Sequence, residues 1–216
     1  LAGRHLTATA SIGIAPAGST SSIEEALKCV DIALYRAKLE GRNRFAVYNE
    51  AIQDAHEDGR AIESELREGI RRGEFELEFQ PIYNPRSGTA TMVETLLRWN
   101  HPRRGLVSPD IFIPLAERTG LITVLGAWVI DEAIRTALTW PRSVGVSINV
   151  SARQFDRGHD LVGLVAALLR LHGLEPHRLT IEITESSLID DAEHVTARLV
   201  ALRELGVRIA LDDFGT

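Results

Sequence analysis

The sequence predicts an α/β fold whose strands are mainly parallel. From residue 74 onward, short segments of alternating apolar and polar residues are followed by longer segments with helical apolar spacing. Strands that alternate with helices favour parallel pairing, because each helix returns the chain to the same end of the sheet. These segments are the strand at 144–150 with a helix near 160–172, the strand at 179–184 with a helix near 191–205, and the strand at 207–212.

The rest of the chain carries weaker versions of the same patterns. Residues 7–15 alternate as a strand, and Ser22 with Glu25 has capping-box spacing at the start of a helix that ends near Gly41. A short strand follows at 45–48, and residues 50–73 form a charged, amphipathic helix that we interpret as a linker between two modules. Further strands are predicted at 75–79 and 90–99. A short helix capped by Ser108 and a longer helix at 122–139 are predicted to follow them.

Composition narrows the class of protein. The chain has 216 residues, of which 44% are hydrophobic and 25% charged, as in ordinary globular proteins. Its net charge of -6 argues against a protein that binds nucleic acid polymers, although a metal ion can supply positive charge for a nucleotide substrate.

The location of the protein is also constrained. The single cysteine, Cys29, rules out an intrachain disulfide and favours a reducing, cytoplasmic setting. No stretch approaches the roughly 20 apolar residues of a membrane span. The chain begins at Leu1 without an initiator Met or a signal-peptide pattern, so we expect a piece of a longer protein. Any membrane attachment would then lie in segments outside these residues.

Oxygen-bearing side chains fall on one face of four predicted strands. Glu94, Asn149, Glu182 and Asp212 each oppose an apolar face, and Asp213 follows directly. Because the carboxyl ends of parallel strands meet at one edge, we expect these side chains to converge. An all-oxygen set suits Mg²⁺ or Mn²⁺, and two adjacent aspartates can serve two ions.

Each of these acids, considered alone, could instead be a structural residue that caps a helix. Acidic residues at strand ends often cap the next helix, and Asp190 or Asp191 is expected to do so. His172 and His177 flank a loop and are expected at the surface rather than as metal ligands.

Five segments resemble the successive motifs of EAL domains. They are Phe79-Gln80-Pro81-Ile82, Glu94-Thr95-Leu96-Leu97-Arg98-Trp99, Ile148-Asn149-Val150-Ser151, Glu182-Ile183-Thr184-Glu185-Ser186 and Asp212-Asp213-Phe214-Gly215-Thr216. Upstream, Ser11-Ile12-Gly13-Ile14-Ala15 and the run from Asp31 to Lys38, with Gly41-Arg42-Asn43-Arg44, are similar to the end of a GGDEF domain. Tandem GGDEF–EAL order is typical of that group.

This resemblance implies an incomplete TIM-like (β/α) barrel with an antiparallel first strand, preceded by the remnant of an α/β GGDEF domain. Residues 1–49 would be the remnant, 50–73 the linker helix and 74–216 the EAL domain. The implied activity is hydrolysis of cyclic di-GMP to the linear dinucleotide pGpG, with two Mg²⁺ or Mn²⁺ ions. The family also commonly forms homodimers through this domain.

The resemblance also implies roles for individual residues. Glu94, Asn149, Glu182 and Asp212 would bind one metal ion, Asp212 and Asp213 the second, and a bridging water would attack the phosphodiester. The catalytic set would be Glu94, Asp212 and Asp213. Gln80 and Arg98 would bind the substrate, and Glu185 would hold the loop after its strand. Lys38 and Arg42 would be former nucleotide-binding residues of the GGDEF domain.

Departures from the family pattern leave alternatives open. Thr95 replaces the alanine of the Glu-Ala-Leu triplet, and the GGDEF signature itself is absent. The chain ends at Thr216, before the family's later lysine, glutamate and glutamine, so we expect these residues alone to have little or no activity. The parent domain could instead be a non-catalytic cyclic di-GMP receptor or interaction module. The GGDEF remnant could serve it as a GTP-sensing regulator.

Overall fold

A computed structural model describes residues 9–16, 22–39, 41–184 and 192–212. The chain divides into two compact units, residues 1–65 and residues 66–216. Helix α2, Glu50–Arg72, runs through that division, and the predicted helix at 50–73 is confirmed.

The N-terminal unit contains a β–α–β arrangement. Strands β1 (Ile12–Ile14) and β2 (Phe45–Val47) pair in parallel, with helix α1 (Ile23–Leu39) between them in sequence. A Cβ atom at Gly13 would lie 2.2 Å from the carbonyl oxygen of Val30, so α1 can pack this closely on β1 only over a glycine. The buried centre of this packing is small: Ala33, Ala37 and Ala46.

The C-terminal unit alternates strands and helices after an initial antiparallel pair. In order its elements are β3 (Phe75–Tyr83), β4 (Ala90–His101), β5 (Gly105–Val107), α3 (Pro109–Thr119), α4 (Leu121–Ala137), β6 (Gly145–Asn149), α5 (Leu161–His172), β7 (Leu179–Thr184), α6 (Ala192–Glu204) and β8 (Arg208–Asp212). Short 3-10 helices at Ala152–Phe155 and Pro176–Arg178 precede α5 and β7.

Five strands form one sheet in the order β3-β4-β6-β7-β8, and β5 adds to β4. The strands β4, β6, β7 and β8 are parallel to one another, whereas β3 is antiparallel to β4. The predicted α/β class and the antiparallel first strand are therefore confirmed. Within the described residues β3 and β8 are the sheet's edges, so a closed barrel is not observed there.

One face of this sheet carries the main core. Val146, Ile148, Ile181 and Ile183 are buried there against apolar residues of α4, α5 and α6. Alternation along each strand puts these side chains on one face and sends the intervening ones to the other. The core thus leaves the second face free to carry polar groups.

Two local expectations hold only in part. Ser108 precedes α3, but its hydroxyl makes no capping bond to a helix N–H and instead lies 3.5 Å from Asp110. His172 is not a simple surface residue, because its Nε2 lies 2.6 Å from Asp131 Oδ1 and only 19% of its side chain is exposed. The prediction that Asp190 or Asp191 caps a helix falls outside the described residues.

The described helices were compared with the length and apolar character of a membrane span. In the described ranges, no single helix has the length and apolar character needed to cross a bilayer. The bent pair α3–α4, with an angle of 117°, meets the length and composition criteria when its two helices are taken together.

Candidate metal and phosphate site

Three predicted site residues lie side by side on the polar face of the sheet. In the strand register, Glu94 of β4 is opposite Ser147 of β6, and two residues further along Asn149 is opposite Glu182 of β7. The alternation that buries Ile148 and Ile181 places all three polar side chains on the other face. The register therefore places Glu94, Asn149 and Glu182 on the same face of three neighbouring strands, and their role as metal ligands stays a prediction.

Glu94 and Asn149 are also in direct contact. The amide Nδ2 of Asn149 donates to Glu94 Oε1 at 3.1 Å, across two neighbouring strands and 55 residues of sequence. Glu94 and Glu182 are half-buried, while Asn149 is exposed. The backbones of β6 and β7 are also joined at this level, since the N–H of Val150 donates to the carbonyl of Glu182 at 2.8 Å.

The remaining predicted metal ligands are described only in part. The backbone of Asp212 ends β8 opposite Thr184, two residues beyond Glu182 in its strand. That register puts Asp212 at the carboxyl ends of the parallel strands, as it does Asn149 and Glu182. Asp213 and the loop residue Glu185 lie outside the described residues.

Two predicted substrate-binding residues lie on the β3–β4 side of the site. Gln80 of β3 is the antiparallel partner of Glu94 and is exposed. Arg98 is four residues beyond Glu94 on the same face, and its Nε donates to Glu78 Oε2 at 2.8 Å. The Arg98 side chain is 23% exposed and Glu78 is 57% exposed, so a neighbour on β3 already partly satisfies the guanidinium.

A cavity of about 450 Å³ opens at this edge of the sheet. Its lining includes Arg98, Asn149 and Glu182 together with apolar residues of α3 and α4 such as Ile113 and Leu125. A volume of this size, lined by both charged and apolar side chains, admits part of a nucleotide.

The donor atoms present fit a hard divalent cation. Glu94 and Glu182 provide carboxylate oxygens, and Asn149 has an amide oxygen beside the nitrogen that contacts Glu94. Oxygen-only sets of this kind suit Mg²⁺ and Mn²⁺ rather than zinc or copper. Among the described residues, no group of three His, Cys, Asp or Glu side chains converges as a metal site. The other two predicted carboxylates, those of Asp212 and Asp213, lie outside that description.

Lys38 and Arg42 belong to the N-terminal unit. Lys38 lies in the last turn of α1, and Arg42 follows in a turn with a left-handed φ of 58°. The N–H of Arg42 donates to the carbonyl of Ala37 at 3.1 Å, which closes the end of the helix. The role predicted for these two residues is not tested by this arrangement.

The prediction overlooked a polar cluster next to Asn149. Ser151 donates from Oγ to Glu117 Oε1 at 2.6 Å, and Ser151 with Gln154 forms a capping box on the 3-10 helix Ala152–Phe155. The Ser-x-x-Gln spacing is a sequence signal for that short helix. The partner Glu117, 34 residues away, has no such signal.

Comparison with known proteins identifies the C-terminal unit. The EAL domain family matches residues 63–216, more than two thirds of the chain. The chain is 38% identical over 213 residues to the bifunctional diguanylate cyclase/cyclic di-GMP phosphodiesterase MucR of Pseudomonas aeruginosa, covering 96% of this chain and 31% of MucR. It is 36% identical over 221 residues to the cyclic di-GMP phosphodiesterase NbdA of the same organism, covering 100% of this chain and 28% of NbdA.

Solved structures agree with the sequence comparison. The PaMucR phosphodiesterase in complex with c-di-GMP superposes with a TM-score of 0.67 at 41% identity, over 71% of this chain and 63% of that one. The chain spans about a third or less of the length of MucR and NbdA. The match over residues 63–216, the relatives and the shared fold place this chain in the EAL-domain family.

Proposed function

We propose that the protein hydrolyses cyclic di-GMP to linear pGpG. The observation that carries this proposal is the contact between Glu94 and Asn149, with Glu182 next in the register, at the edge of a cavity that also contains Arg98. The names of two relatives, MucR and NbdA, support the same substrate and reaction.

Metal ions complete the proposed site. Glu94, Asn149, Glu182 and Asp212 would hold one Mg²⁺ or Mn²⁺, and Asp212 with Asp213 a second. When bound, the two ions supply a water of lowered pKa and neutralise charge on the reacting phosphodiester. Without cations, the carboxylates of Glu94 and Glu182 would repel an anionic substrate, so these residues would bind it only together with the metal ions.

The chain's own residues would bind and orient the substrate. Arg98 would offer its guanidinium to a phosphate oxygen, mainly through Nη2, because Nε donates to Glu78 and Nη1 donates to the Leu97 carbonyl at 3.4 Å. Gln80, across the β3–β4 pair from Glu94, would contact the ligand from the first strand. Glu185 would hold the loop that follows β7. The apolar surface of α3 and α4 would limit the entry of water to that side of the cavity.

The N-terminal unit would belong to a second domain. We assign residues 1–49 to the end of a GGDEF domain and 50–73 to a linker helix, with Lys38 and Arg42 as former nucleotide-binding residues. The β1–α1–β2 arrangement and the MucR match, which covers 96% of this chain, support that assignment. A cytoplasmic location and a homodimer formed through the EAL domain belong to the same proposal.

The decisive experiment uses the longest natural form of the protein that contains these residues. It is incubated with cyclic di-GMP and Mg²⁺ or Mn²⁺, alongside a Glu94→Ala variant, and the products are separated. Linear dinucleotide that forms only with metal and only with Glu94 is the expected result. The 216-residue chain, tested in parallel, is expected to show little or no turnover.

The other outcomes are equally informative. Tight binding of cyclic di-GMP without turnover would identify a receptor domain instead of an enzyme. Absence of both binding and turnover would overturn the assignment of cyclic di-GMP as ligand.

A further inference from the structure

The segment after Asn149 is held by side chains from a different part of the fold. We call residues 150–155 the Asn149 loop. Its first N–H, from Val150, donates to the Glu182 carbonyl at 2.8 Å, and Phe155 at its end is buried in the core. Between these anchors, the position of the loop depends on Ser151 and Gln154.

Ser151 joins the loop to α3. Its hydroxyl donates to Glu117 Oε1 at 2.6 Å, a distance typical of a hydrogen bond to a charged carboxylate. The same hydroxyl accepts from the N–H of Arg153 at 3.3 Å. Since a hydroxyl has a single proton to donate, the direction of that proton toward Glu117 also orients the oxygen lone pairs toward the loop backbone.

Gln154 joins the loop to α4. Its Oε1 accepts from the N–H of Ser151 at 3.1 Å, and the side chain is 4% exposed. A Cβ atom at position 126 would lie 2.1 Å from Gln154 Nε2, so α4 can approach the amide only because Gly126 has no side chain. Near Asn149, α3 therefore meets the loop through the Ser151–Glu117 hydrogen bond, and α4 meets it through the close packing of Gly126 against Gln154.

We propose that Glu117, acting through Ser151, is a positioning residue for Asn149. The carboxylate holds the Asn149 loop against α3, and the loop backbone in turn sets where β6 ends and where the Asn149 amide points. The inference rests on the proposed function for the metal role of Asn149. Outer contacts that orient a metal-binding side chain typically change metal affinity by about 10- to 100-fold when removed.

The test measures metal binding directly, without substrate. The longest natural form of the protein and its variants are titrated with Mn²⁺, and the free ion is followed by electron paramagnetic resonance. Ser151→Ala is expected to weaken Mn²⁺ affinity about 10-fold. The variant Ser151→Thr, which keeps the hydroxyl, is expected to restore most of that loss.

Three further variants, one of them a control, separate a positioning role from a general loss of structure. Glu117→Gln keeps the size of the side chain and loses its charge, so a smaller loss of about 2- to 5-fold is expected if charge strengthens the contact. The double variant Glu117→Gln/Ser151→Ala is expected to match Ser151→Ala alone, because both changes remove the same interaction. Glu132→Gln, on the outer part of α4 in an ion pair with Arg135, serves as the matched control and should bind Mn²⁺ as the wild type does.

The results also distinguish this inference from the proposed function. If the wild type binds Mn²⁺ but does not hydrolyse cyclic di-GMP, the enzymatic proposal fails and the positioning role can still be measured. Unchanged Mn²⁺ affinity in a folded Ser151→Ala protein would overturn the inference. If that variant does not fold, unchanged affinity in Glu117→Gln overturns it, as would a wild type that binds no Mn²⁺.

Discussion

The two faces of the parallel sheet differ sharply although they are built from the same short strands. Ile148 and Ile181 are 1% and 0% exposed in the main core, while the next residues, Asn149 and Glu182, lie on the opposite face at the cavity. A single step along a strand therefore separates a residue that stabilises the fold from one that we propose to bind a metal ion. Substitutions on the two faces should accordingly change different observables.

The largest expected effect is on the polar face. In the longest natural form of the protein, Glu94→Ala should lower cyclic di-GMP turnover by about 1,000-fold or more, which corresponds to about 4 kcal/mol of transition-state stabilisation. Its free energy of unfolding should stay constant or rise slightly, because one carboxylate is removed from a group of acids. Product chromatography and urea unfolding measure the two quantities. A large loss of stability in Glu94→Ala would contradict the idea that the polar face contributes little to folding.

On the apolar face, Ile181→Ala should lower stability and leave turnover nearly unchanged. Removal of buried methyl groups from a core residue lowers the free energy of unfolding by about 2–5 kcal/mol. Turnover per folded molecule should change little. Val124→Ala, at a position 57% exposed on α4, is the control and should cost less than about 0.5 kcal/mol.

Neighbouring residues on β6 give the sharpest version of the comparison. Asn149→Ala should weaken Mn²⁺ binding by about 10- to 100-fold with little change in stability. Ile148→Val should lower the free energy of unfolding by about 0.5–1.5 kcal/mol and leave Mn²⁺ binding unchanged. Titration with Mn²⁺ and urea unfolding of both variants would show whether metal binding and core stability depend on different, adjacent residues of β6.

The smallest effect is expected at the ion pair between Arg98 of β4 and Glu78 of the outer strand β3. In the free site Arg98 is paired with Glu78, so a substrate phosphate must compete with that carboxylate. Glu78→Gln should lower KM by about two- to fivefold with kcat unchanged, in keeping with the modest strength of partly exposed ion pairs. Steady-state kinetics provide the test, and a raised KM would show that Glu78 orients Arg98 instead of competing for it.

Much of the architecture could be read from local patterns. The strand at 179–184 has the predicted bounds, and α4, α5, α6, β6 and β8 differ from prediction by one or two residues at an end. Strand β5 was missed because it is short and begins with Gly105, a residue that favours a turn. The 3-10 helix Ala152–Phe155 was missed because four residues carry no apolar period, although Ser151 and Gln154 have capping-box spacing.

Partnerships between distant residues could not be predicted in the same way. His172 was expected at the surface, yet it pairs with Asp131, 41 residues earlier. Glu117 had no feature that separated it from other helical glutamates until its contact with Ser151 was visible. In both cases local sequence specifies the helix and the residue type, but not which element packs beside it.

The amino-acid sequence by itself determined which face of each strand is apolar, which oxygen-bearing residues share the other face, and the family to which the motifs belong. These properties depend on the two-residue period of a strand and on residue identity. The tertiary structure alone decided that Asn149 contacts Glu94, that Glu78 pairs with Arg98 and that Glu117 reaches Ser151. Each of these contacts depends on strand register or helix packing, which arises only when the separate strands and helices are assembled.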